Sequence, residues 1–402
     1  MQTNLIPMFK ATSEGQEAEA ILRSCVHCGF CTATCPTYQE LGDERDGPRG
    51  RIYLIKQLLE GGPVTEKTRT HLDRCLTCRS CETTCPSGVK YGRLIDIGRG
   101  IVEDALPRPL KQRVLRWSLR QVLPYSNRFG PLLKAGQLFR PLLPAALKTK
   151  IPPQRSASPW PSSSHPRVML ALAGCAMPAA TPNTNAAAAR VLDRLGITLV
   201  EAPKAGCCGA VSYHLSKHDE GLDFMRRNID AWWPAVAAGA EVIVMTASGC
   251  GAMVQEYGEL LRDDPAYADK ARRVSELTKD LSSVLLQEDL TKLQPKADTG
   301  KVAFHCPCTL QHAMQQNGVV EEVLTKAGVD LAVTRDKHLC CGSAGTYSIL
   351  QPKISQKLLR NKLEALTQDQ PDRIVTANIG CQLHLETKAQ VPVQHWIELL
   401  DT

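Results

Sequence analysis

Residues 25–36 read CVHCGFCTATCP and residues 75–86 read CLTCRSCETTCP. Both are the pattern Cys-x2-Cys-x2-Cys-x3-Cys-Pro, repeated fifty residues apart. Three cysteines on one tight loop can reach three corners of a cubane, and in paired sites the fourth crosses to the other cluster. The spacing therefore predicts two [4Fe–4S] clusters. One draws on Cys25, Cys28, Cys31 and Cys85, the other on Cys75, Cys78, Cys81 and Cys35. Structural zinc also uses Cys-x2-Cys pairs, but it sets two such pairs apart by a longer loop. Here four cysteines crowd into eleven residues, twice. A disulfide framework is not expected, because the chain starts without a secretory signal and this cysteine density points to metal in a reducing compartment. A chain built this way moves electrons.

The 402 residues, 43% hydrophobic and 22% charged, read as a globular chain of two or three domains. No apolar run reaches the length of a membrane span, so a soluble or peripheral protein is expected. The longest candidate, Val168 to Ala180, reads as a strand running into a cysteine loop. The formal charge of +7 is concentrated: residues 101–150 carry ten Lys or Arg against Glu103 and Asp104. Within them, Lys111, Arg113, Arg116 and Arg120 alternate with Val114, Leu115, Trp117, Val122 and Leu123 as in a basic amphipathic helix. Proline-punctuated apolar segments continue to Leu147. Two readings follow: a connecting helix packed on the cluster domain, or a docking surface for a partner or an anionic membrane face. No nucleic-acid motif accompanies the charge, so no nucleic-acid partner is expected.

The fold class expected is an α+β multidomain chain: an N-terminal α-helical two-cluster ferredoxin domain, then a duplicated α/β Cys-Cys-Gly domain. Residues 1–100 form the ferredoxin domain. Its long insert carries Asp46-Gly47-Pro48, a helix-start signal, followed by Ile52, Leu54, Ile55, Leu58 and Leu59 near helical spacing. Arg49 and Arg51 lie between the motifs; a cation there would raise a cluster potential, but solvation is the commoner fate of an arginine. Residues 101–150 are a basic helical connector and 151–166 a Pro/Ser-rich linker. The first Cys-Cys-Gly unit spans 167–290 and the second 300–402. Cys175 and Cys308, and Cys207 and Cys340, lie 133 residues apart, and Cys250 and Cys381 lie 131 apart. Each unit runs strand, cysteine, helix, Cys-Cys-Gly, strand, cysteine, which is a duplication.

Ligand sites in open α/β sheets gather at the carboxyl ends of strands, so the thiols of each unit are expected to converge. The second unit adds Cys306 to Cys308, Cys340, Cys341 and Cys381, with His305, His312, His338 and His384 nearby in sequence. An additional metal centre is therefore expected there rather than at Cys175, Cys207, Cys208 and Cys250. No GxGxxG loop, P-loop, catalytic triad order or HExxH motif occurs. No catalytic residue is assigned, flavin and nicotinamide binding are not expected, and the electrons need a donor, most simply a flavoprotein.

These residues resemble a known family. HCGFCTATCPTYQ (27–39), GDERDGPRGRIYLIKQLLEG (42–61), LDRCLTCRSCETTCPSGV (72–89), AGCCGAVSYHL (205–215), TASGCGAMVQEYG (246–258), FHCPCTLQHA (304–313), HLCCGSAGTYS (338–348) and VTANIGCQ (375–382) are similar to the iron–sulfur subunit of bacterial glycolate oxidase. The resemblance implies flavoprotein partner subunits that oxidise glycolate to glyoxylate. It also implies electron delivery to an acceptor other than oxygen, such as the quinone pool, in the cytoplasm and peripherally on the inner face of the cytoplasmic membrane. The layout is more distantly similar to lactate-utilisation iron–sulfur proteins, an anaerobic glycerol-3-phosphate dehydrogenase subunit and heterodisulfide reductase subunits. The last of these close each unit with Cys-x2-Cys; here Cys250 is followed by Gly251-Ala252-Met253 and Cys381 by Gln382-Leu383-His384, without the second cysteine.

Overall fold

Gly47 and Pro48 start the helix Pro48–Leu59 where the Asp46-Gly47-Pro48 signal predicts it. Proline suits the first helical position because its missing N–H would have had no partner there. Ile52, Ile55, Leu58 and Leu59 form the buried stripe. That stripe packs on the helix Tyr91–Ala105, which buries Leu94, Ile95, Ile97 and Val102. The two helices meet at Gly98, where a Cβ would come within 2.6 Å of the Ile55 side chain.

The computed structural model describes residues 1–144 and 148–402. The end of the apolar run at Leu147 lies outside the described residues. The chain forms two compact units. One comprises residues 1–116 with 338–358, the other residues 117–337 with 359–402. The first is helical, with short helices Phe30–Ala33 and Ser80–Thr83 carrying the third cysteine of each motif, Cys31 and Cys81.

Among the described residues, the second unit holds all seven strands: β1 (Arg167–Ala171), β2 (Ile197–Glu201), β3 (Ile243–Met245), β4 (Thr278–Asp280), β5 (Val302–His305), β6 (Arg373–Thr376) and β7 (Val393–His395). They pair in parallel as β2-β1-β3-β4 and β5-β6-β7. Apolar stretches such as Val168–Leu172 become strands because parallel sheets are covered by helices. The duplication is imperfect. Where the first repeat pairs β1 with β2, the second has a single bridge from Val302 to Leu331. One core joins both repeats, with Met169 and Leu192 beside Phe304, Val323 and Trp396. A separate core in the first repeat gathers Trp232, Tyr257, Met225 and Met253.

The basic stretch forms the helices Leu110–Val122 and Ser126–Phe139. The first leaves Val114, Leu115 and Trp117 exposed, while its Arg116 pairs with Asp73 of the ferredoxin domain at 3.3 Å. Residues 152–165 contain no helix or strand, but they are held down: Arg155 pairs with Glu386 at 2.5 Å and His165 meets Asp193 at 2.8 Å. Among the described residues no helix is long and apolar enough to cross a membrane.

Trp232 is fully buried at the centre of the first repeat's own core. Trp232→Ala should cost about 3–5 kcal/mol through lost burial and the cavity left behind. Thermal unfolding followed by circular dichroism should show a midpoint lower by roughly 10 °C.

Candidate metal centres

The two cysteine loops share one backbone device. His27 and Gly29 in the first and Thr77 and Arg79 in the second all have positive φ, at 56°, 87°, 54° and 59°. Such angles are uncommon outside glycine. They turn successive backbone N–H groups into the concave side of a loop, which favours negative charge there. The Thr34 and Thr84 hydroxyls, again fifty residues apart, meet at 3.2 Å and set the two loops side by side.

Two cavities result. The first is walled by Cys25, Cys28 and Cys31 of one loop with Cys85 of the other; Cys81 also reaches its wall. The second is walled by Cys75, Cys78 and Cys81 with Cys35. As free thiols, Cys31 and Cys81 resist ionisation. Burial and the neighbouring Cys25 push Cys31 up to about 11, and burial beside Cys78 pushes Cys81 well above the ordinary thiol value. A metal reverses that balance, because a coordinating thiol is deprotonated by the cation it binds. Three cysteines from one loop with Cys85 or Cys35 from the other give each cavity a donor set that fits a cubane.

The second cavity is the more elaborated. The Tyr91 hydroxyl donates to Cys75 Sγ at 3.7 Å, the Thr77 backbone N–H donates to the same sulfur at 3.4 Å, and the Thr37 hydroxyl lies 3.3 Å from Cys35 Sγ. Arg51 lines this cavity and is only 1% exposed. Its Nε donates to the His71 carbonyl at 2.8 Å and its Nη2 to the Thr37 hydroxyl at 3.1 Å. Beneath it Asp46, with no exposed surface, accepts from His71 Nδ1 at 2.9 Å and Arg74 Nη1 at 2.8 Å and lies 3.7 Å from Arg51. The expectation of a solvated arginine thus fails for Arg51, because the folded insert carries it inward. Arg49 lies nearer the surface and pairs with Glu44 at 2.7 Å.

In the second compact unit the first repeat brings together all four of its cysteines. Cys175 follows β1 and Cys250 lies in the helix Ser248–Gln255 that follows β3. Neighbouring thiols perturb one another in turn: Cys175 and Cys207, Cys207 and Cys208, and Cys208 and Cys250. The bond that Cys175 makes to Cys207, together with burial, raises the Cys175 thiol well above its ordinary value. Around them, Asn228 Nδ2 donates to the Cys207 carbonyl at 2.9 Å and the Tyr257 hydroxyl donates to the Cys208 carbonyl at 2.8 Å. Gly209 closes the loop at φ 92°, and a Cβ there would lie 2.7 Å from the Gly221 carbonyl oxygen.

The second repeat's cysteines divide between the compact units. Cys306, Cys308 and Cys381 belong with the sheets, where Asn378 Nδ2 donates to Cys381 Sγ at 3.3 Å. Cys340 and Cys341 belong with the ferredoxin loops. There the Gly342 N–H donates to Cys340 Sγ at 3.4 Å, and the Ser355 hydroxyl donates to the Gly342 carbonyl at 2.7 Å. Gly342 repeats the constraint of Gly209: φ is 86°, and a Cβ would lie 2.6 Å from the Ser355 carbonyl oxygen.

Residues 21–89 match the model of a 4Fe-4S dicluster domain, and residues 169–255 and 302–386 each match a cysteine-rich domain. The chain is 58% identical over 402 residues to the glycolate oxidase iron-sulfur subunit of Escherichia coli K12, covering 100% of this chain and 98% of the relative. It is 32% identical to a probable glycolate oxidase iron-sulfur subunit of Bacillus subtilis 168, covering 92% of this chain and 89% of that one. Lactate utilization protein A of Geobacillus thermodenitrificans is 27% identical over 208 residues, half of this chain.

The buried guanidinium of Arg51 leads to a prediction for a cluster in the second cavity. Arg51→Met should make its reduction potential more negative by on the order of 50–150 mV, the scale of one partly screened charge a few ångströms away. A redox titration followed by EPR checks this, and the potential of a cluster in the first cavity should move much less.

Proposed function

We propose, for a chain that belongs to the family of glycolate oxidase iron–sulfur subunits, the role of electron-relaying subunit in a glycolate oxidase complex. The observation that carries this reading is the pair of cavities, each lined by three cysteines of one loop and joined by a cysteine from the other, Cys85 in the first and Cys35 in the second. In this reading Cys25, Cys28, Cys31 and Cys85 hold one [4Fe–4S] cluster, and Cys75, Cys78, Cys81 and Cys35 hold the second. Bound there, the clusters supply one-electron transfer at potentials set by their surroundings.

The chain's own residues do the rest. The left-handed loop residues shape both cysteine loops. Tyr91 and the Thr77 N–H add donors at Cys75, and Arg51 adds a fixed positive charge at the second site. The oxidation of glycolate to glyoxylate, which releases two electrons and two protons, belongs to flavoprotein partner subunits, and this chain is not catalytic alone. Electrons leave toward an acceptor other than oxygen, the quinone pool, with the complex in the cytoplasm and peripheral on the inner face of the membrane. The relatives named for lactate utilization match about half of this chain, and the Escherichia coli glycolate oxidase relative matches all of it, which favours glycolate.

A further metal centre is part of the reading. Sequence spacing suggested it for Cys306, Cys308, Cys340, Cys341 and Cys381. The contiguous thiols of Cys175, Cys207, Cys208 and Cys250 give the first repeat an equal claim, because four sulfurs lie together within one compact unit.

Cys85→Ser should abolish the EPR signal of the cluster on Cys25, Cys28 and Cys31 and spare the other; a loss confined to the Cys75 loop would overturn the crossing. Purified anaerobically without partners, the chain should retain no stoichiometric flavin and should not oxidise glycolate. A complex lacking it should lose acceptor reduction. Glycolate oxidation by the isolated chain would refute the relay role.

A further inference from the structure

We propose that the outward face of residues 117–142 is the surface by which this protein lies on an anionic lipid bilayer, an inference that rests on the peripheral location proposed above. The helix Ser126–Phe139 is mounted with its apolar side outward. Its inner side carries small residues: Gly130 is buried with Ala179 at 3.7 Å from its Cβ position, and Gly136 faces Ile151. Its outer side carries Leu132, Leu138 and Phe139, continued by Leu142, at helical spacing. Leu138 is 75% exposed and Leu142 is 81% exposed. Trp117 is more than half exposed, and it borders the same shallow depression as Val122, Pro131 and Leu132. Isolated exposed leucines need no explanation, but an apolar stripe rimmed by polar groups marks an interaction site.

Charge identifies the occupant. Between Asp104 and Asp193 the chain contains no acidic residue at all, and it carries thirteen Lys or Arg. Lys134 and Arg140 border a second depression with Leu138 and Lys148. Arg128 lies across the Tyr125 ring at 4.2 Å, beside the first depression. A stripe of protruding Leu, Phe and Trp bordered by Lys and Arg matches the composition of helices that lie in a membrane interface. Arg120 is held by Glu220, but Arg128 and Arg140 beside the stripe bond to Gln121 and to the Lys148 carbonyl rather than to a carboxylate, and charges of that kind suit a fluid anionic surface, where they need no individual partners. The chain would lie on the bilayer by its side, since among the described residues it has no helix able to span one.

The test uses the full chain, purified anaerobically, and its complex with the partner subunits. Each is sedimented with vesicles of phosphatidylcholine alone or with about 30 mol% phosphatidylglycerol, a fraction that gives the surface a clear negative potential. The chain and the complex should bind the anionic vesicles only, and added salt should weaken binding. The double variant L138E/L142E should lower the bound fraction about tenfold by opposing both apolar insertion and the anionic surface. Val333→Glu, at another exposed apolar position of the same compact unit, should bind as the parent does. An unchanged visible absorption spectrum checks that each variant is intact. If parent and double variant bind equally, the surface is wrong and the peripheral location stands. If neither chain nor complex binds anionic vesicles, both fall. If the double variant loses its partner subunits instead and binds vesicles normally, the stripe is a protein interface and the proposal is overturned.

Discussion

Thiols crowded into a low-dielectric site cannot all ionise unless positive charge shares the space. The first compact unit answers that constraint at several levels. Its loops turn backbone N–H groups inward through left-handed residues at matching positions, His27 with Gly29 and Thr77 with Arg79. Its insert then supplies a whole cation. The helix Pro48–Leu59 exists to bury Ile52, Ile55 and Leu58, and in doing so it carries Arg51 to the wall of the second cavity. A guanidinium buried this deeply needs its own support, which comes from Thr37, the His71 carbonyl and the carboxylate of Asp46. The fifty-residue spacing of the cysteine motifs is thus the length needed to bring in a charged wall as well as a second loop.

The Cys-Cys-Gly motif follows from a backbone constraint rather than from sulfur chemistry. In both repeats the glycine has a left-handed backbone and faces a carbonyl oxygen at a distance no Cβ can tolerate, Gly221 for Gly209 and Ser355 for Gly342. The glycine lets the vicinal cysteines turn back against the following helix. Duplication preserved that turn while the surroundings diverged: β2 is reduced to one bridge in the second repeat, and the second Cys-Cys-Gly loop joined the other compact unit.

What could be read from the sequence was local. The cysteine spacing, the start of the helix at Pro48 and the strands after Arg167, Ile243, Val302 and Arg373 leave signatures within a dozen residues, and the duplication shows as such local signatures recurring at a constant offset. The strands β2, β4 and β7 were harder, because Ile197–Glu201, Thr278–Asp280 and Val393–His395 are short and partly polar. Their pairing depends on partners far along the chain. The fate of Arg51 depended on the position of Asp46, Thr37 and His71 around it, and nothing in Arg49-Gly50-Arg51 distinguishes the arginine that is buried from the one nearer the surface. The thiol line from Cys175 to Cys250 was expected only as convergence. That it lies within one compact unit, whereas the second repeat's cysteines are shared out between two, is a fact of tertiary structure alone.

The unit bearing the eight ferredoxin cysteines is discontinuous, and its last piece, residues 338–358, is made late. That piece is bound in firmly: the Tyr347 hydroxyl donates to the Arg74 carbonyl at 3.0 Å, and Lys357 pairs with Glu40 at 2.5 Å. Some 250 residues separate Cys85 from His338, so the ribosome delivers every ferredoxin thiol long before the segment that completes their surroundings. At roughly 5–20 residues per second, that leaves about 10–50 s in which the loops have emerged while the unit is still unfinished. The order of the sequence therefore places both cysteine loops outside the ribosome before the segment that completes their compact unit has been made.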